Sequence, residues 1–423
     1  MHFLPILRPG PGVRVLETER ALSESMLWEL NERFFQSKGP QAWKRVPDYI
    51  TTSQWNARVQ ADLVFGYLQD LAAAGCTEPV TVIEMAAGTG RLGVRLNGFL
   101  RRRLADSHLA ELDVRIVLTD LVDANLQRAR DEPGVQCVAW DVADPAPPVP
   151  LDGPVVVVAN YCFDGVANDA YVVHEQELHA LHAGLCTADD VDVHDPELVS
   201  AVGLFWEPTA PEPSPYEPLL DLYRREVSGT FTLPVSALAV LERVRDWSDR
   251  FLVIVADKGV HRLQDVARQD VPRIARHGSV SMPVNLHALC WWHEHSGGVA
   301  LSAWHHSPGL STVALCNEDR PLALTRAYRR WEDLDAGTFN TVRRMVRPPT
   351  TLREALSWLR LSGHEHEALA HSLLTHALDS GDIDADEVAD ILIRVGTVSR
   401  LEHDSEAVSR LRALRSAVDG DDS

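Results

Sequence analysis

Thr81-Val-Ile-Glu-Met-Ala-Ala-Gly-Thr-Gly-Arg-Leu-Gly93 is the stretch on which the fold turns. The β-branched run Thr81 to Ile83 predicts a strand, Glu84 ends its apolar part, a small-residue turn follows, and a helical pattern sets in at Arg91. A strand feeding a glycine turn and a helix N-terminus builds a nucleotide site, because small residues let a ligand approach the backbone and the first helical turn leaves N–H groups unpaired. Gly88-x-Gly90-x-x-Gly93 alone would read as a dinucleotide fingerprint. Glu84 argues against that reading: a carboxylate four residues before the glycines repels a pyrophosphate. It suits a cationic ligand, and S-adenosylmethionine carries both an ammonium and a sulfonium.

Further along the chain, strands end in polar residues in a fixed order. Val114-Arg-Ile-Val-Leu-Thr-Asp120 ends in an acid, Val135-Gln-Cys-Val-Ala-Trp-Asp141 in another, and the apolar run Pro154-Val-Val-Val-Val-Ala-Asn-Tyr-Cys-Phe-Asp164 in polar and aromatic groups. An apolar run of that kind is a buried parallel strand, and open parallel sheets bind ligands at the carboxyl ends of their strands. This order resembles the class I methyltransferases. The resemblance implies that Glu84, Ala86, Gly88 and Gly90 form the first cofactor motif. Asp120, with Leu121 beside it, would take the ribose hydroxyls, and a carboxylate accepts two at once. Asp141 and Val142 would meet the adenine, and Asn160 would close the site.

The wider pattern resembles the MidA-like methyltransferases, a family of protein arginine methylation and mitochondrial complex I assembly. The likeness is carried by Asp48-Tyr-Ile-Thr-Thr-Ser53, by the long interval between Gly90 and Asp120, and by Asn160-Tyr-Cys-Phe-Asp164. Asp257-Lys-Gly259 and the segment His277 to Ala288 extend it, so that it spans roughly residues 45 to 317. Two positions depart from the family. Ala86 stands where it has a glycine, adding a methyl where the backbone needs a positive φ, and Tyr161 stands where a glutamate usually follows the asparagine.

Composition bounds the rest. The 423 residues suffice for one large α/β domain with helical additions, and 45% hydrophobic with 24% charged residues are globular values. Acids outnumber Lys and Arg by 61 to 40, a net charge of −21. Such a field repels nucleic acid and anionic membranes and attracts cationic partners. The basic strip Arg101 to Arg103 reads as a solvated helix face. Six scattered cysteines lack a Cys-x-x-Cys pair and give no disulfide framework. The N-terminal Met-His-Phe-Leu-Pro-Ile-Leu run is too short for a signal or membrane helix, so a cytoplasmic protein is expected. The sequence does not specify an oligomeric state.

The expected architecture is α/β. It has a helical N-terminal region over 1–75, a Rossmann-like methyltransferase core over 76–320 with an insertion at 165–245 covering the site, and a helical region over 321–423. Val59, Leu63, Val64, Tyr67 and Leu71 mark the last helix of the preface. Tyr171-Val-Val predicts a hairpin inside the insertion, and Pro208 to Pro215 an extended surface connector. Phe251 to Ala256 resumes the sheet as its fifth strand. Val299 to Trp304 and Ser311 to Cys316 then read as an antiparallel closing hairpin, which separates a class I methyltransferase from a dinucleotide dehydrogenase. Thr351-Leu-Arg-Glu354 is a capping box that opens a helical rhythm to about residue 415.

Four residues are candidates for the chemistry. The Asn160 amide oxygen could accept from a substrate amine, Tyr161 or Phe163 could form a platform for a planar acceptor, and Asp164 could orient or deprotonate a cationic nucleophile. An asparagine capping a turn and an aspartate capping a helix are the structural alternatives. Asp257, His277 and Asn285 are candidate substrate-facing residues. The histidines at 293, 295, 305, 306, 366 and 371 lack metal spacing, and Asp382, Asp384 and Asp386 lack the glycine and distal glutamate of a calcium loop, so no metal is expected. Three functions compete: methylation of a protein or peptide nitrogen, arginine by the family's guidance; methylation of a small metabolite at N or O; and a non-catalytic assembly protein on a methyltransferase fold.

Overall fold

A computed structural model describes residues 12–332 apart from 45, 47–50, 189, 267–271, 273 and 306–309. Asp48 to Ile50, His306, the capping box at Thr351, the His366–His371 pair and the acids at 382–386 lie outside the described residues.

In chain order, β1 (Val13–Arg20) and α1 (Met26–Lys38) precede the long α2 (Gln54–Ala73). The sheet begins with β2 (Val80–Met85), followed by α3 (Arg91–Ala105), β3 (Val114–Asp120), β4 (Val135–Ala139) and β5 (Val155–Asn160). Then come β6 (Asp169–His174), β7 (Glu177–Ala188), β8 (Gly203–Thr209), α4 (Glu217–Glu226), β9 (Gly229–Leu233) and α5 (Val235–Trp247). The chain continues through β10 (Phe251–Asp257), β11 (Gly259–Val260), α6 (Leu263–Val266), β12 (Ala275–Arg276), β13 (Val280–Ser281) and β14 (Val284–Asn285). It closes with α7 (Leu286–His295), β15 (Val299–Leu301), β16 (Ser311–Cys316) and α8 (Leu322–Trp331).

The main sheet has seven strands in the order β15-β16-β10-β5-β2-β3-β4. Pairing is parallel from β10 to β4, and β16 runs antiparallel to both β10 and β15. That order, with a reversed strand inserted next to the edge, is the class I methyltransferase fold. Every residue of β2 and β5 is buried, which is why these strands read as unbroken apolar runs rather than as alternations. Successive side chains serve opposite cores. Ile83 and Met85 join the cluster under α4, α5 and α7, while Val80 and Val82 join the one under α2, α3 and α8.

The N-terminal region differs from an all-helical preface. Its first described element is β1, which pairs antiparallel with β7 of the insertion. Val13 and Val15 with intervening polar residues favour a strand once a partner edge is offered. The insertion supplies four strands, β6 to β9, of a five-stranded sheet that β1 completes, with β6 and β7 forming the expected hairpin. Its own elements end at Leu233, because α5 packs on the main sheet as the crossover helix between β5 and β10. The third of the expected acid-ended strands is shorter than expected: β4 stops at Ala139, leaving Asp141 in the loop beyond it. All six cysteines are free. No helix among the described residues is long and apolar enough to cross a membrane.

The last described helix, α8, is seated on α2 by direct backbone approach. The Asp70 carboxylate accepts the N–H groups of Ala323 at 2.8 Å and Leu324 at 2.9 Å, capping α8 from a distant helix. Asp62 accepts from Trp331 Nε1 at 3.0 Å and pairs with Arg103 of α3 at 2.6 Å. Gly66 lies at the crossing, where a Cβ would stand 2.9 Å from the Ala323 carbonyl oxygen and from Leu324 Cα. Both are main-chain atoms, so Gly66→Ala must part the helices. It should cost about 1–3 kcal/mol in denaturant unfolding. An unchanged midpoint would mean that α8 does not dock on α2.

Candidate functional site

The glycine loop leaves β2 through left-handed backbone. Ala86, Gly88 and Gly90 have φ of 50°, 57° and 74°. The loop is fixed by hydrogen bonds from Ala87 N–H to the Thr119 carbonyl at 2.7 Å and from Gly90 N–H to the Ala87 carbonyl at 2.9 Å. Alanine at a positive φ is strained, so the departure at Ala86 costs stability without altering the course of the loop.

Glu84 is buried at the carboxyl end of β2. Gly93 makes its seat, for a Cβ there would lie 2.3 Å from Glu84 Oε2 and 2.2 Å from Leu118 Cδ2. The Gly93 N–H hydrogen-bonds the carboxyl, but Oε2 is buried with no hydrogen-bond partner among the described residues. Burial pushes its pKa up to about 8, against the Gly93 hydrogen bond and with help from Asp120. Such a group is short of a positive charge or a donor.

Asp120, at the end of β3, holds the loop from the next strand. Its Oδ2 accepts from Gly88 N–H at 2.8 Å, and its Oδ1 from Val122 N–H at 2.9 Å and Asn125 Nδ2 at 3.0 Å. Burial raises its pKa, and these three donors oppose the rise. Leu121 beside it is 37% exposed. Asp141 is exposed after β4, accepting from Ala143 N–H at 2.8 Å, and Val142 is half-buried against the core. Across from Asp141 stands Glu32 of α1, whose carboxyl is pushed up by partial burial and then by that neighbour.

At the end of β5 the structure changes one expectation. The Asn160 amide oxygen already accepts from Asn56 Nδ2 at 2.9 Å and Gln60 Nε2 at 3.4 Å. Asn56 Nδ2 also donates to the Thr51 carbonyl at 2.6 Å, which fixes the orientation of both amides. The oxygen is therefore held by the protein, and the group Asn160 can offer a ligand is its amide nitrogen, a donor. Asn56 and Gln60 went unnoticed in the sequence, although two amides four apart beside Val59 and Leu63 are a legible signal. Tyr161 sits at φ 49° and packs with Trp55 beside Ala256 and Leu310. Burial raises its phenol pKa.

Phe163 is 1% exposed in the core, which removes it as an acceptor platform and leaves Tyr161. Asp257 is fully buried and spends its carboxylate on backbone: Phe163 N–H at 2.9 Å, Asp164 N–H at 3.2 Å and Lys258 N–H at 2.8 Å. It shapes the loop after β5 instead of facing a substrate. Asp164 is buried beside it, bonded to the Ser281 side chain and near Lys258, and burial lifts its pKa to about 7. Burial and then Asp164 drive Asp257 well above the usual range.

Asn285 also has a structural occupation. It caps α7 by accepting from Ala288 N–H at 3.2 Å, and it donates to Tyr223 Oη at 3.1 Å and the Thr232 carbonyl at 2.9 Å. His277 is exposed in the turn between β12 and β13. Among the described residues no three His, Cys, Asp or Glu side chains are grouped as metal ligands would be.

No protein-family profile matches the chain, and no curated protein matches it. Among solved structures, an uncharacterized protein from Burkholderia thailandensis is 15% identical over 75% of this chain and 96% of its own, with a TM-score of 0.46. A second Burkholderia thailandensis protein, bound to S-adenosyl-homocysteine, is 19% identical over 59% of this chain and 62% of its own, with a TM-score of 0.40. Magnesium protoporphyrin IX methyltransferase from Synechocystis, with bound SAM, is 11% identical over 70% of this chain and 98% of its own, with a TM-score of 0.31.

Two outcomes follow from the loop. Glu84 titrates near 8 when folded against an ordinary value of 4.5, so its contribution to stability is complete below 4.5 and is lost as pH rises toward 8. The slope is about 1.4 kcal/mol per pH unit. Glu84→Gln should lack this slope, so the variant gains on the wild type between pH 5.5 and 8 in urea unfolding. Parallel pH profiles would show that Glu84 is not buried as a carboxyl. Ala86→Gly should stabilise by about 1 kcal/mol by relieving the positive φ, read by the same titrations.

Proposed function

We propose that this chain is an S-adenosylmethionine-dependent methyltransferase acting on a nitrogen of a protein or peptide, with arginine as the acceptor the family resemblance suggests. The observation that carries the reading is the pair of buried acids flanking one glycine loop. Glu84 has an oxygen without a partner among the described residues, and Asp120 is tied to Gly88 N–H. An orphan carboxyl oxygen fits the ammonium of the cofactor, and an acceptor-only carboxylate beside a loop N–H fits ribose hydroxyls. Solved proteins of similar fold are held with S-adenosyl-homocysteine or SAM, in keeping with this.

Bound there, S-adenosylmethionine would supply an electrophilic methyl group on a sulfonium. What remains for this chain is positioning and proton handling. Asn160 offers an amide donor at the end of β5, held in place from behind by Asn56. Tyr161 presents the half-buried ring nearest it in sequence, on strained backbone. Asp164, with a pKa near 7, can take the proton that a nitrogen sheds as its new bond to carbon forms. A guanidinium needs such a neighbour, since its own pKa lies above about 12. The net charge of −21 favours a cationic acceptor through long-range attraction.

A small metabolite acceptor would use the same cofactor residues. The non-catalytic reading draws on two observations: the Asn160 oxygen is consumed by Asn56, and Ala86 strains the loop. Calorimetry separates it from the others, since a scaffold has no need to bind the cofactor. Asp120→Ala should weaken S-adenosylmethionine binding about ten- to hundredfold, the worth of one charge-assisted hydrogen bond. Unchanged affinity removes Asp120 from the site. For the chemistry, single-turnover transfer to an arginine peptide at saturating cofactor should rise with pH through about 7 in the wild type. Asp164→Asn should flatten that profile and lower the rate about a hundredfold or more. A profile that survives the substitution places the base elsewhere.

A further inference from the structure

The segment between α1 and α2 reaches the glycine loop through one side chain. Trp43 lies in the 3-10 turn Gly39–Lys44, with its ring tilted against Phe35 of α1 at 5.9 Å between centroids. Its indole rests on Gly88: a Cβ added there would stand 2.7 Å from Trp43 Cζ2 and 3.2 Å from Cε2. Cη2 stands 3.3 Å away on the other side of Cζ2, so the six-membered edge meets the loop, and Cε2, the carbon bonded to the indole nitrogen, brings the N–H next to that contact. That nitrogen is buried and has no hydrogen-bond partner among the described residues. A rigid ring cannot yield as a flexible chain end would, so Gly88 is a glycine for the sake of Trp43 as well as for its φ of 57°.

The chemistry around this N–H is complementary in one specific way. Asp120, whose Oδ2 holds the same Gly88, is an acceptor only, and Asn125 beside it has a buried Oδ1 without a partner among the described residues. An indole N–H is a donor only. A hydroxyl can give its hydrogen to the carboxylate or the amide and receive the indole N–H on its oxygen. A ribose brings two such hydroxyls. We infer that Trp43 binds the nucleoside half of the cofactor, its indole lying over the glycine loop and its N–H donating to a ribose oxygen that itself donates to Asp120 or Asn125. This rests on the S-adenosylmethionine reading and adds to it a residue outside the methyltransferase sheet. It makes the turn Gly39–Lys44 part of the cofactor site.

The test is calorimetry with two ligands, S-adenosyl-homocysteine and 5′-methylthioadenosine, which share the ribose and differ in the amino-acid arm. Trp43→Phe keeps a ring over Gly88 and deletes the donor. It should weaken both ligands by the same factor, about tenfold. 2′,3′-Dideoxyadenosine, which lacks the hydroxyls, should bind wild type and variant alike. Wild-type affinity of Trp43→Phe for both hydroxyl-bearing ligands overturns the inference and leaves the cofactor reading standing. A loss confined to S-adenosyl-homocysteine overturns it too, since it would place the N–H on the amino-acid arm. A wild type that binds neither removes the cofactor reading and this inference with it. Should the variant not fold, hydrogen exchange of the wild type decides. Amides of 39–44 should slow on adding S-adenosyl-homocysteine, and unchanged exchange there counts against the proposal.

Discussion

The burial of the Glu84 carboxyl at the end of the central strand is the constraint from which the site follows. A carboxyl in that position needs room, and Gly93 in the first turn of α3 provides it, since any side chain there would overlap Oε2. It also needs a partner, and the described residues supply only the Gly93 N–H, leaving one oxygen unsatisfied among them. A buried polar atom left unpaired costs about 1–3 kcal/mol, which a core of valines and leucines could avoid by placing an apolar residue at 84. The sequence keeps the acid. The cost is understandable if a cation completes the site, because binding then recovers what folding gave up.

Around it the fold manages a concentration of acids with backbone donors rather than with bases. Asp120 takes three N–H groups, and Asp257 takes the N–H groups of Phe163, Asp164 and Lys258. Each carboxylate thus shapes the loop that follows its own or a neighbouring strand, and Lys258 is the cation acting on Asp164. The carboxyl edge thus gathers buried acids, Glu84, Asp164 and Asp257 among them, whose pKa values burial raises.

Much of the sheet could be read from residue order, because parallel strands buried on both faces leave unbroken apolar runs and end in the residues that do chemistry. Val155 to Asn160, Phe251 to Asp257 and the hairpin of β15 and β16 were legible for that reason. The strand at Val13–Arg20 was not, since its one partner among the described residues is β7, more than a hundred residues later, and no local pattern announces that pairing. Roles inside the site were harder still. An asparagine at a strand end looks the same in sequence whether its oxygen is free or held, and only the approach of Asn56 on α2 decides. Asp257 and Asn285 share this ambiguity: both are polar residues near the right edge, and both turn out to serve the main chain.

The wall facing the end of β5 shows why such roles are non-local. Asn31 of α1 donates to the Gly165 carbonyl at 3.1 Å and accepts from Val280 N–H at 3.0 Å, joining segments 134 and 249 residues away from it. The Met282 N–H donates to the Asp164 carbonyl at 2.8 Å, so the loop bearing the candidate base is held from the same side. One helix before the sheet and one segment after β10 therefore fix a loop that belongs to neither. The N-terminal region is thus more than a preface. Through Asn31 it holds the loop after β5, through Asn56 it holds the Asn160 amide, and through Trp43 it reaches the glycine loop. The main sheet carries Glu84, Asp120 and Asn160 at its own strand ends, but the loops around them are positioned by chain that lies outside it.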